Sequence, residues 1–259
     1  MIDNPSWQHF ATHDESEYPE LWRGVRGYWA PCLGPSGTRL HDVSGLSNWG
    51  TLTNMDAATD WVVDDGRYAL DFDGVNDYVL TEWFRPAATS TSISIWIKKT
   101  AADFFFATDR TGGNGFGFEI YPSIVYVNIN SGYGQFNFTT NNTWQHFLFS
   151  YNTNGSTNAE RLQLFINGIQ RSMSYPSAIP SAATASTEAF QIARRPWAPT
   201  VWGKGLFSES VVWNRPVYPA EAAQLYQIGR GGMLTPRRRR RAYFAGSGLR
   251  RRLLLTGQV

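Results

Sequence analysis

The sequence has a single cysteine among its 259 residues, Cys32. An intrachain disulfide is therefore excluded, and nothing in the chain requires an oxidising compartment. No apolar run approaches the roughly 20 residues that a helix needs to cross a bilayer, so we expect no membrane insertion. The first residues also lack a basic segment followed by an apolar one, which predicts synthesis in the cytoplasm without a signal peptide.

Charged residues are scarce, at 17%, and they are unevenly distributed. Residues 230–259 contain nine arginines and no acid, whereas residues 1–229 contain 14 basic and 21 acidic side chains, a net charge of −7. Such asymmetry is typical of an interaction tail on an acidic body. We therefore divide the chain into an N-terminal arm (residues 1–23), a globular domain (24–229) and an Arg-rich tail (230–259).

Aromatic residues are abundant, at 15%, and hydrophobic residues reach 42%, which is enough for a packed core. Short apolar runs alternate with turn residues. Residues 92–98 alternate strictly, which predicts a half-buried strand. Asn167-Gly168 follows another apolar run and predicts a hairpin. Only residues 219–226 have a helical pattern, with proline in the first turn.

This pattern of many short strands predicts an all-β protein, a two-sheet antiparallel sandwich of the jelly-roll type. Ordered sequence blocks identify a family that it resembles. The blocks are GYW (27–29), GTRLHDVSG (37–45), GTL (50–52), ALDFDGVNDYV (69–79), SIWI (94–97), WQHF (144–147), LFING (164–168), GLFSESVVWNR (205–215) and AEAAQLY (220–226). Together they resemble laminin-G-like jelly-roll domains of the concanavalin A-like lectin/glucanase type. The resemblance implies the fold, with N- and C-terminal extensions, whereas the chemistry differs among proteins that share it.

Glycoside hydrolysis needs two carboxylates facing each other across a cleft. Glycanases that this fold resembles carry Glu-x-Asp-x-Glu on a strand, and no predicted strand has such a run. Asp71 and Asp73 lie two residues apart, but a turn starts at Gly74. We predict that the chain is not an enzyme. A cryptic glycoside hydrolase using Asp71 or Glu209 is kept as an alternative.

Calcium is a possible ligand of one turn. Asp71, Asp73, Asn76 and Asp77 supply the oxygen atoms that calcium prefers. Asp and Asn are also ordinary turn residues. The resembled family usually has Asp before the acid at Glu209, where this chain has Ser208, and this departure weakens the case for calcium. No other cofactor is predicted.

Histidine and cysteine give little sign of chemistry. His9 and His13 have helical i, i+4 spacing, but no third metal ligand accompanies them. His146 on a predicted strand, and the lone thiol of Cys32, are interpreted as buried packing residues.

Several aromatic residues lie in predicted loops, where a rigid sandwich usually carries its binding residues. The candidate glycan-binding residues are Trp49, Tyr133, Arg194, Trp197 and Trp202. Trp197 and Trp202 flank a proline-rich loop, and Tyr133 sits between glycines at a hairpin tip. The alternative, equally open here, is that each tryptophan plugs an end of the core.

The tail supplies the candidate partner-binding residues. They are Arg237, Arg238, Arg239, Arg240, Arg241, Tyr243, Phe244, Arg250, Arg251 and Arg252. A cluster of arginines suits nucleic-acid phosphate, an acidic protein surface, or simple solvation. We favour an acidic protein partner over nucleic acid, because the body is acidic and carries no nucleic-acid recognition motif.

Laminin-G-like modules with a basic tail and no signal peptide resemble phage virion proteins. We therefore expect a non-catalytic structural or binding protein on the virion surface, as a capsid decoration or host-attachment component. Its expected partners are a capsid or other virion protein and, at the free face, a cell-surface glycan. A free carbohydrate-binding module is the alternative.

Overall fold

A computed structural model describes residues 18–110, 114–198 and 200–234. The predicted all-β sandwich is confirmed. Its strands are β1 (Val25–Trp29), β2 (Arg39–Leu40), β3 (Gly50–Thr53), β4 (Trp61–Asp64), β5 (Arg67–Asp73), β6 (Tyr78–Thr81), β7 (Thr91–Lys98), β8 (Phe105–Thr108), β9 (Phe116–Ile120), β10 (Ile124–Ile129), β11 (Gly132–Asn137), β12 (Trp144–Tyr151), β13 (Leu162–Ile166), β14 (Ile169–Arg171), β15 (Ser174–Ser177), β16 (Gln191–Ile192) and β17 (Lys204–Trp213). The helices are α1 (Pro19–Trp22), α2 (Asn158–Arg161) and α3 (Pro219–Ile228), with a 3₁₀ turn over Pro31–Leu33.

The strands form two antiparallel sheets. The eight-stranded sheet has the order β14-β13-β12-β7-β17-β5-β4, and β1 pairs with β17 beside this path. The nine-stranded sheet has the order β15-β11-β10-β9-β8-β16-β6-β3-β2. Strands distant in sequence, such as β5, β7 and β17, are thus neighbours, as expected of a jelly roll.

The main core lies between the two sheets, and alternation along the strands builds it. Ile93, Ile95 and Ile97 of β7 are fully buried there, as predicted. The strand is not half-buried, however, because Ser94 and Trp96 on its other face are buried as well. In the opposite sheet, Phe118 of β9 packs its ring against Phe149 of β12 at 5.4 Å. Burial of this apolar surface is the main source of stability.

The predicted hairpin at Asn167-Gly168 is confirmed, since β13 and β14 pair through it. Both residues have positive φ, 54° and 74°. This is the backbone that a tight type I′ turn requires, and Asn-Gly adopts it at little cost.

A second apolar cluster covers the outer face of the eight-stranded sheet. Trp22 of α1, Leu225 of α3 and Met233 pack there against sheet residues such as Trp213. Residues on both sides of the predicted domain limits, 24 and 229, are therefore packed on the body. The outer face of the nine-stranded sheet has no comparable helical cover among the described residues.

The longest helix in the described part of the chain, α3, has ten residues. No helix in that part has the length and apolar character needed to cross a membrane.

Candidate functional site

An aromatic row crosses the outer face of the nine-stranded sheet. Tyr133 of β11, Tyr126 of β10 and Tyr121 after β9 lie on neighbouring strands, with ring centroids 5.9 and 5.3 Å apart. The row continues to Phe104 and Phe106 at β8, 5.3 and 6.2 Å from Tyr121. Because side chains alternate along each strand, the residues between them face the core. Tyr133, Tyr126, Tyr121 and Phe104 therefore present partly exposed rings along this face, whereas Phe106 at the end of the row is fully buried.

One carboxylate stands in the middle of this face. Glu119 of β9 accepts hydrogen bonds from Asn128 Nδ2 at 2.9 Å and from the Tyr121 hydroxyl at 3.0 Å. It also pairs with two guanidinium groups, Arg110 Nη1 at 3.2 Å and Arg195 Nη2 at 3.3 Å. Only 3% of the side chain is exposed, and four donors fix it in place. Burial, followed by the adjacent Glu119 charge, raises the pKa of Tyr121 to about 12, so its phenol keeps its proton.

These residues surround a cavity of about 370 Å³ that opens on the same face. We call it the Glu119 pocket. It is lined by Arg110, Glu119, Tyr121, Ile124, Tyr126, Asn128, Ser131, Tyr133 and Arg195. A glycine in the floor gives the polar groups room, because a Cβ at Gly117 would lie 3.3 Å from both Asn128 Nδ2 and Glu119 Oε1. The pocket is of the size that suits a small ligand.

A closed loop, residues 193–203, brings Arg195 to the pocket. Its ends are joined by a hydrogen bond from Gly203 N to Ala193 O, at 2.7 Å. Ala193 has a φ of 67°, which turns the chain sharply out of β16. Trp197, in the middle of the loop, stands 5.0 Å from the guanidinium carbons of both Arg110 and Arg195. The indole therefore holds the two cations beside the pocket.

Arg110 is positioned from below by a buried ion pair. Arg85 Nε lies 3.2 Å from Asp109 Oδ2, and both side chains are almost completely buried. Asp109 also accepts the backbone N–H of Phe116, and the Arg85 guanidinium lies 4.0 Å above the Phe116 ring. This arrangement fixes the chain just before Arg110.

The structure brings only part of the predicted glycan-binding set together. Tyr133 lines the pocket, and Trp197 contacts two of its arginines. Arg194 and Trp202 lie together over Tyr78 of β6, with the Arg194 guanidinium 4.7 Å and the Trp202 ring 5.7 Å from the tyrosine ring. They share the outer face but do not line the pocket.

Trp49 lies elsewhere on the same sheet. It precedes β3, so β8, β16 and β6 separate it from the strands of the pocket. Its ring contacts Arg39 at 4.2 Å and His41 at 4.5 Å. Any ligand of Trp49 would therefore occupy a different site.

The turn considered as a possible calcium site is held by hydrogen bonds of its own. Asp73 Oδ1 accepts from Val75 N at 2.7 Å, and Asp77 Oδ2 accepts from Asp73 N at 3.2 Å. Burial, together with the nearby charge of Asp73, raises the pKa of Asp77 to about 6. Across the described ranges, no group of three or more His, Cys, Asp or Glu side chains is placed to hold a metal. The carboxylates of Asp73 and Asp77 thus stabilise the turn itself, while Asp71 lies within β5.

Two other titratable groups are buried on the outer side of the eight-stranded sheet. Glu209 accepts hydrogen bonds from the Tyr28 hydroxyl and from the N–H of Gly231, and burial raises its pKa to about 7. His146 Nε2 lies 2.7 Å from Ser94 Oγ. Burial lowers the pKa of His146 to about 3, so it is neutral and packed, as predicted. A substrate has no access to either group.

The predicted partner-binding residues lie outside the described residues. These are Arg237, Arg238, Arg239, Arg240, Arg241, Tyr243, Phe244, Arg250, Arg251 and Arg252. The described chain ends at Leu234, next to Met233 in the second apolar cluster. His9 and His13 also lie outside it.

Sequence reasoning missed the centre of the pocket, namely Arg110, Glu119, Tyr126, Asn128 and Arg195. A signal for part of it was present. Residues 116–121 read Phe-Gly-Phe-Glu-Ile-Tyr, so the polar and aromatic positions alternate with core positions in a strand. A charged residue in mid-strand on the solvent side, with Gly117 and Tyr121 as its neighbours on that side, was the sign of a binding face. The arginines come from loops and gave no such pattern.

Comparison with known proteins agrees with this architecture. The sequence model of the Laminin_G_3 family, described as the concanavalin A-like lectin/glucanases superfamily, matches residues 61–223. None of the curated proteins matches the chain in sequence.

Solved structures share the fold at low sequence identity. The receptor binding domain of botulinum neurotoxin D has a TM-score of 0.56 at 11% identity, over 80% of this chain and 53% of that one. This chain thus spans about half the length of the neurotoxin domain. Domain 4 of the arabinanase AbnA from Geobacillus stearothermophilus, in complex with arabinotriose, has a TM-score of 0.53 at 16% identity, over 78% and 98%. Trypanosoma rangeli sialidase has 0.55 at 14%, over 79% and 33%.

Proposed function

Since the chain belongs to the concanavalin A-like lectin/glucanases superfamily, we propose that it is a non-catalytic carbohydrate-binding protein whose ligand occupies the Glu119 pocket. One observation carries the proposal: a row of aromatic rings and a fixed polar cluster share one open face of the sandwich. Sugars need both kinds of group. Their C–H faces pack on aromatic rings, and their hydroxyls hydrogen-bond to polar side chains that are already in place.

The size and construction of the pocket support a short saccharide as ligand. A volume of about 370 Å³ lies at the lower end of the range for small-molecule sites, and the opening lets a longer glycan extend along the aromatic row. Glu119 and Asn128 are held by each other before any ligand arrives. Binding therefore costs little side-chain entropy. The AbnA domain of the same fold, solved with arabinotriose, gives independent support.

The chemistry of the pocket argues against hydrolysis. Hydrolysis needs a second carboxyl group across the sugar, and among the described residues that line the cavity Glu119 is the only acid. The Glu119 carboxylate is already paired with the guanidinium groups of two arginines. Tyr121 is a poor nucleophile at neutral pH, because burial and the Glu119 charge raise its pKa to about 12.

The test is binding of the full chain to a glycan array, followed by variants. Trp197→Ala and Tyr126→Ala are expected to weaken binding of the recognised glycan at least about tenfold. Trp49→Ala is the matched control, because it removes an indole from the same sheet outside the pocket, and its affinity should equal that of the wild type. Loss of affinity in Trp49→Ala alone would place the ligand elsewhere and contradict the proposal. Long incubation with the recognised glycan should release no reducing ends, which tests the proposal that the protein is not catalytic.

We also propose that the protein is a virion surface component, with the tail as its attachment to a capsid or other virion protein. The observation that favours it is the position of the tail's origin. Gly231 and Met233 are fixed on the outer face of the eight-stranded sheet, whereas the pocket opens on the nine-stranded sheet. A partner held by the tail would leave the pocket free for a second ligand.

Removal of residues 235–259 tests the attachment, because it spares the packed residues before them. Truncated protein should fold with unchanged melting temperature and fail to enter particles, while full-length protein is incorporated. Incorporation of the truncated chain at the wild-type level would contradict this role.

A further inference from the structure

We infer that the saccharide bound in the Glu119 pocket carries a carboxylate, as hexuronic and sialic acids do, and that Arg110 and Arg195 receive it. The inference rests on the proposed function and names its ligand class. The pocket is locally basic although the body is acidic. Its charged lining residues are two arginines and one glutamate, a surplus of one positive charge, whereas residues 1–229 carry a net −7.

The arginines are only partly used by the protein. Each gives a single Nη group to Glu119, Arg110 at 3.2 Å and Arg195 at 3.3 Å. A guanidinium has five N–H donors, so others are left in each. The Nε atoms of both are buried without a hydrogen-bond partner among the described residues. About a fifth of each side chain is exposed, 20% for Arg110 and 22% for Arg195, and this exposed part is within reach of a ligand at the pocket.

Trp197 packs against both arginines and orients their guanidinium groups. The ring stands 5.0 Å from each guanidinium carbon. Arg195 also lies 5.8 Å from the rings of Phe106 and Tyr121. Contacts with ring faces hold a guanidinium without consuming its N–H edges, so these stay available for hydrogen bonds.

A carboxylate matches such edges better than a hydroxyl does. The planar fork of arginine pairs with the two oxygens of a carboxylate, and charge-assisted hydrogen bonds are stronger than neutral ones. Glu119 already shows that this pair of arginines accepts a carboxylate between them. A second carboxylate would neutralise the remaining charge, which a neutral sugar leaves uncompensated.

The experiment measures affinity for acidic glycans and their neutral parents, using the full-length protein. Suitable pairs are sialyllactose with lactose and trigalacturonic acid with galactotriose, beside a sulfated lactose that carries sulfate and no carboxylate. We expect an acidic member to bind at least about tenfold more tightly than its parent, with an advantage that shrinks as salt increases. Equal affinity within the pairs would overturn the inference and leave the proposed function standing. Binding of the sulfated sugar alone would overturn it in favour of a sulfate ligand. No glycan bound at all would overturn both.

Variants separate the arginine role from general damage. Arg195→Gln should lose the preference for the acid, while Arg194→Gln, its neighbour directed at Tyr78 and Trp202, should keep it. Glu119→Gln tests whether affinity for the acidic glycan rises or falls when the carboxylate is removed. It removes a competing anion, so affinity for the acidic glycan should rise, whereas a glutamate that accepts sugar hydroxyls would make affinity fall. Melting temperatures confirm that each variant is folded. Equal loss in Arg195→Gln and Arg194→Gln would contradict the inference.

Discussion

At the scale of single residues, burial separates the ionisable groups of this protein into two kinds. Glu119 is buried among cations and donors, while Glu209 is buried with only hydrogen bonds and more distant arginines nearby. The first arrangement pairs a carboxylate with opposite charges and fixes its position. The second favours a bound proton, because desolvation penalises the charged form.

Glu209 should therefore make stability depend on pH. Burial raises its pKa from 4.5 to about 7, against the opposing effects of Gly231 N–H and the Tyr28 hydroxyl. The folded state keeps this proton where the unfolded chain has lost it, so the free energy of unfolding falls as pH rises from about 4.5 to about 7. The loss is of the order of 3 kcal/mol. In Glu209→Gln the contribution of this carboxyl should be absent. Urea unfolding of both proteins at pH 5 and pH 8 would then show a smaller loss of stability in the variant.

Asp77 and Asp109 also have raised pKa values, and they act in the same direction in both proteins. The difference between wild type and variant therefore isolates Glu209. Parallel pH profiles for the two proteins would show that this carboxyl does not carry the dependence.

The ion pair of Arg85 and Asp109 should matter far more than a surface pair. Both side chains are buried, at 0% and 1% exposure. Arg85→Met leaves Asp109 without its partner in the core and should cost about 3–5 kcal/mol of unfolding free energy. The control is Arg39→Met, whose pair with Glu82 is more than half exposed. That change should cost about 1 kcal/mol or less. Equal costs in denaturant melts would contradict this reasoning.

The single thiol offers a clean chemical test. Cys32 is buried, and burial, with the nearby Glu209 carboxyl, raises its pKa well above the usual value. The thiolate is the reactive form, so native protein should resist iodoacetamide at pH 8 and react once unfolded in guanidinium chloride. The intact mass of the protein reports alkylation directly, because the chain has one cysteine. Rapid alkylation of the native protein would show that the segment over Cys32 opens easily.

At the scale of elements, the sheet and the loop make different contributions to the site. The strands place Glu119, Tyr126 and Asn128 by simple alternation, which the core on the other side enforces. The loop of residues 193–203 adds Arg195 and Trp197 from a closed base. The strands thus build the floor of the pocket, and in the proposed function the loop supplies the groups that select the ligand.

Replacement of residues 194–202 by a short Gly-Ser turn should separate these contributions. The hydrogen bonds from Ala193 N to Phe106 O and from Lys204 N to Phe104 O lie outside the replaced segment, so the sheet should persist. We expect a melting temperature within a few degrees of the wild type and loss of glycan binding. Retained binding would show that the ligand is held by the sheet alone.

At the scale of the whole molecule, the two sheets have different outer faces. Helices α1 and α3 and residues 230–234 cover the eight-stranded sheet, while the nine-stranded sheet carries the pocket. The covering segment is fixed by specific contacts. Arg230 pairs with Asp65 at 3.0 Å and lies 4.1 Å above the Trp144 ring, and Met233 is buried. The chain thus remains part of the body up to Leu234.

Two truncations should show where the body ends. Removal of residues 235–259 should leave the free energy of unfolding unchanged within error, because it deletes none of the described contacts. Removal of residues 230–259 also takes away Met233 and the N–H that Gly231 donates to Glu209. It should cost about 3 kcal/mol or more, measured by urea unfolding. Equal stability of the two truncated chains would contradict the packing of this segment.

The sequence by itself determined the fold class and much of its layout. Strict alternation in residues 92–98, Asn-Gly at 167–168 and the helical pattern at 219–226 are local signals, and β7, the hairpin and α3 follow them. Local patterns are readable because backbone preference and one-sided burial act over a few residues. The charge asymmetry between body and tail was equally visible.

Only the tertiary structure decided which residues form the site. Arg110 and Glu119 are near neighbours in sequence, at the pair of consecutive strands β8 and β9, whereas Arg195 is distant in sequence and meets them because the 193–203 loop returns over these strands. The same pairing leaves Trp49 three strands away. Contacts between distant residues depend on strand order. Loop closure and core packing determine that order over the whole chain, so no short stretch of sequence reveals it.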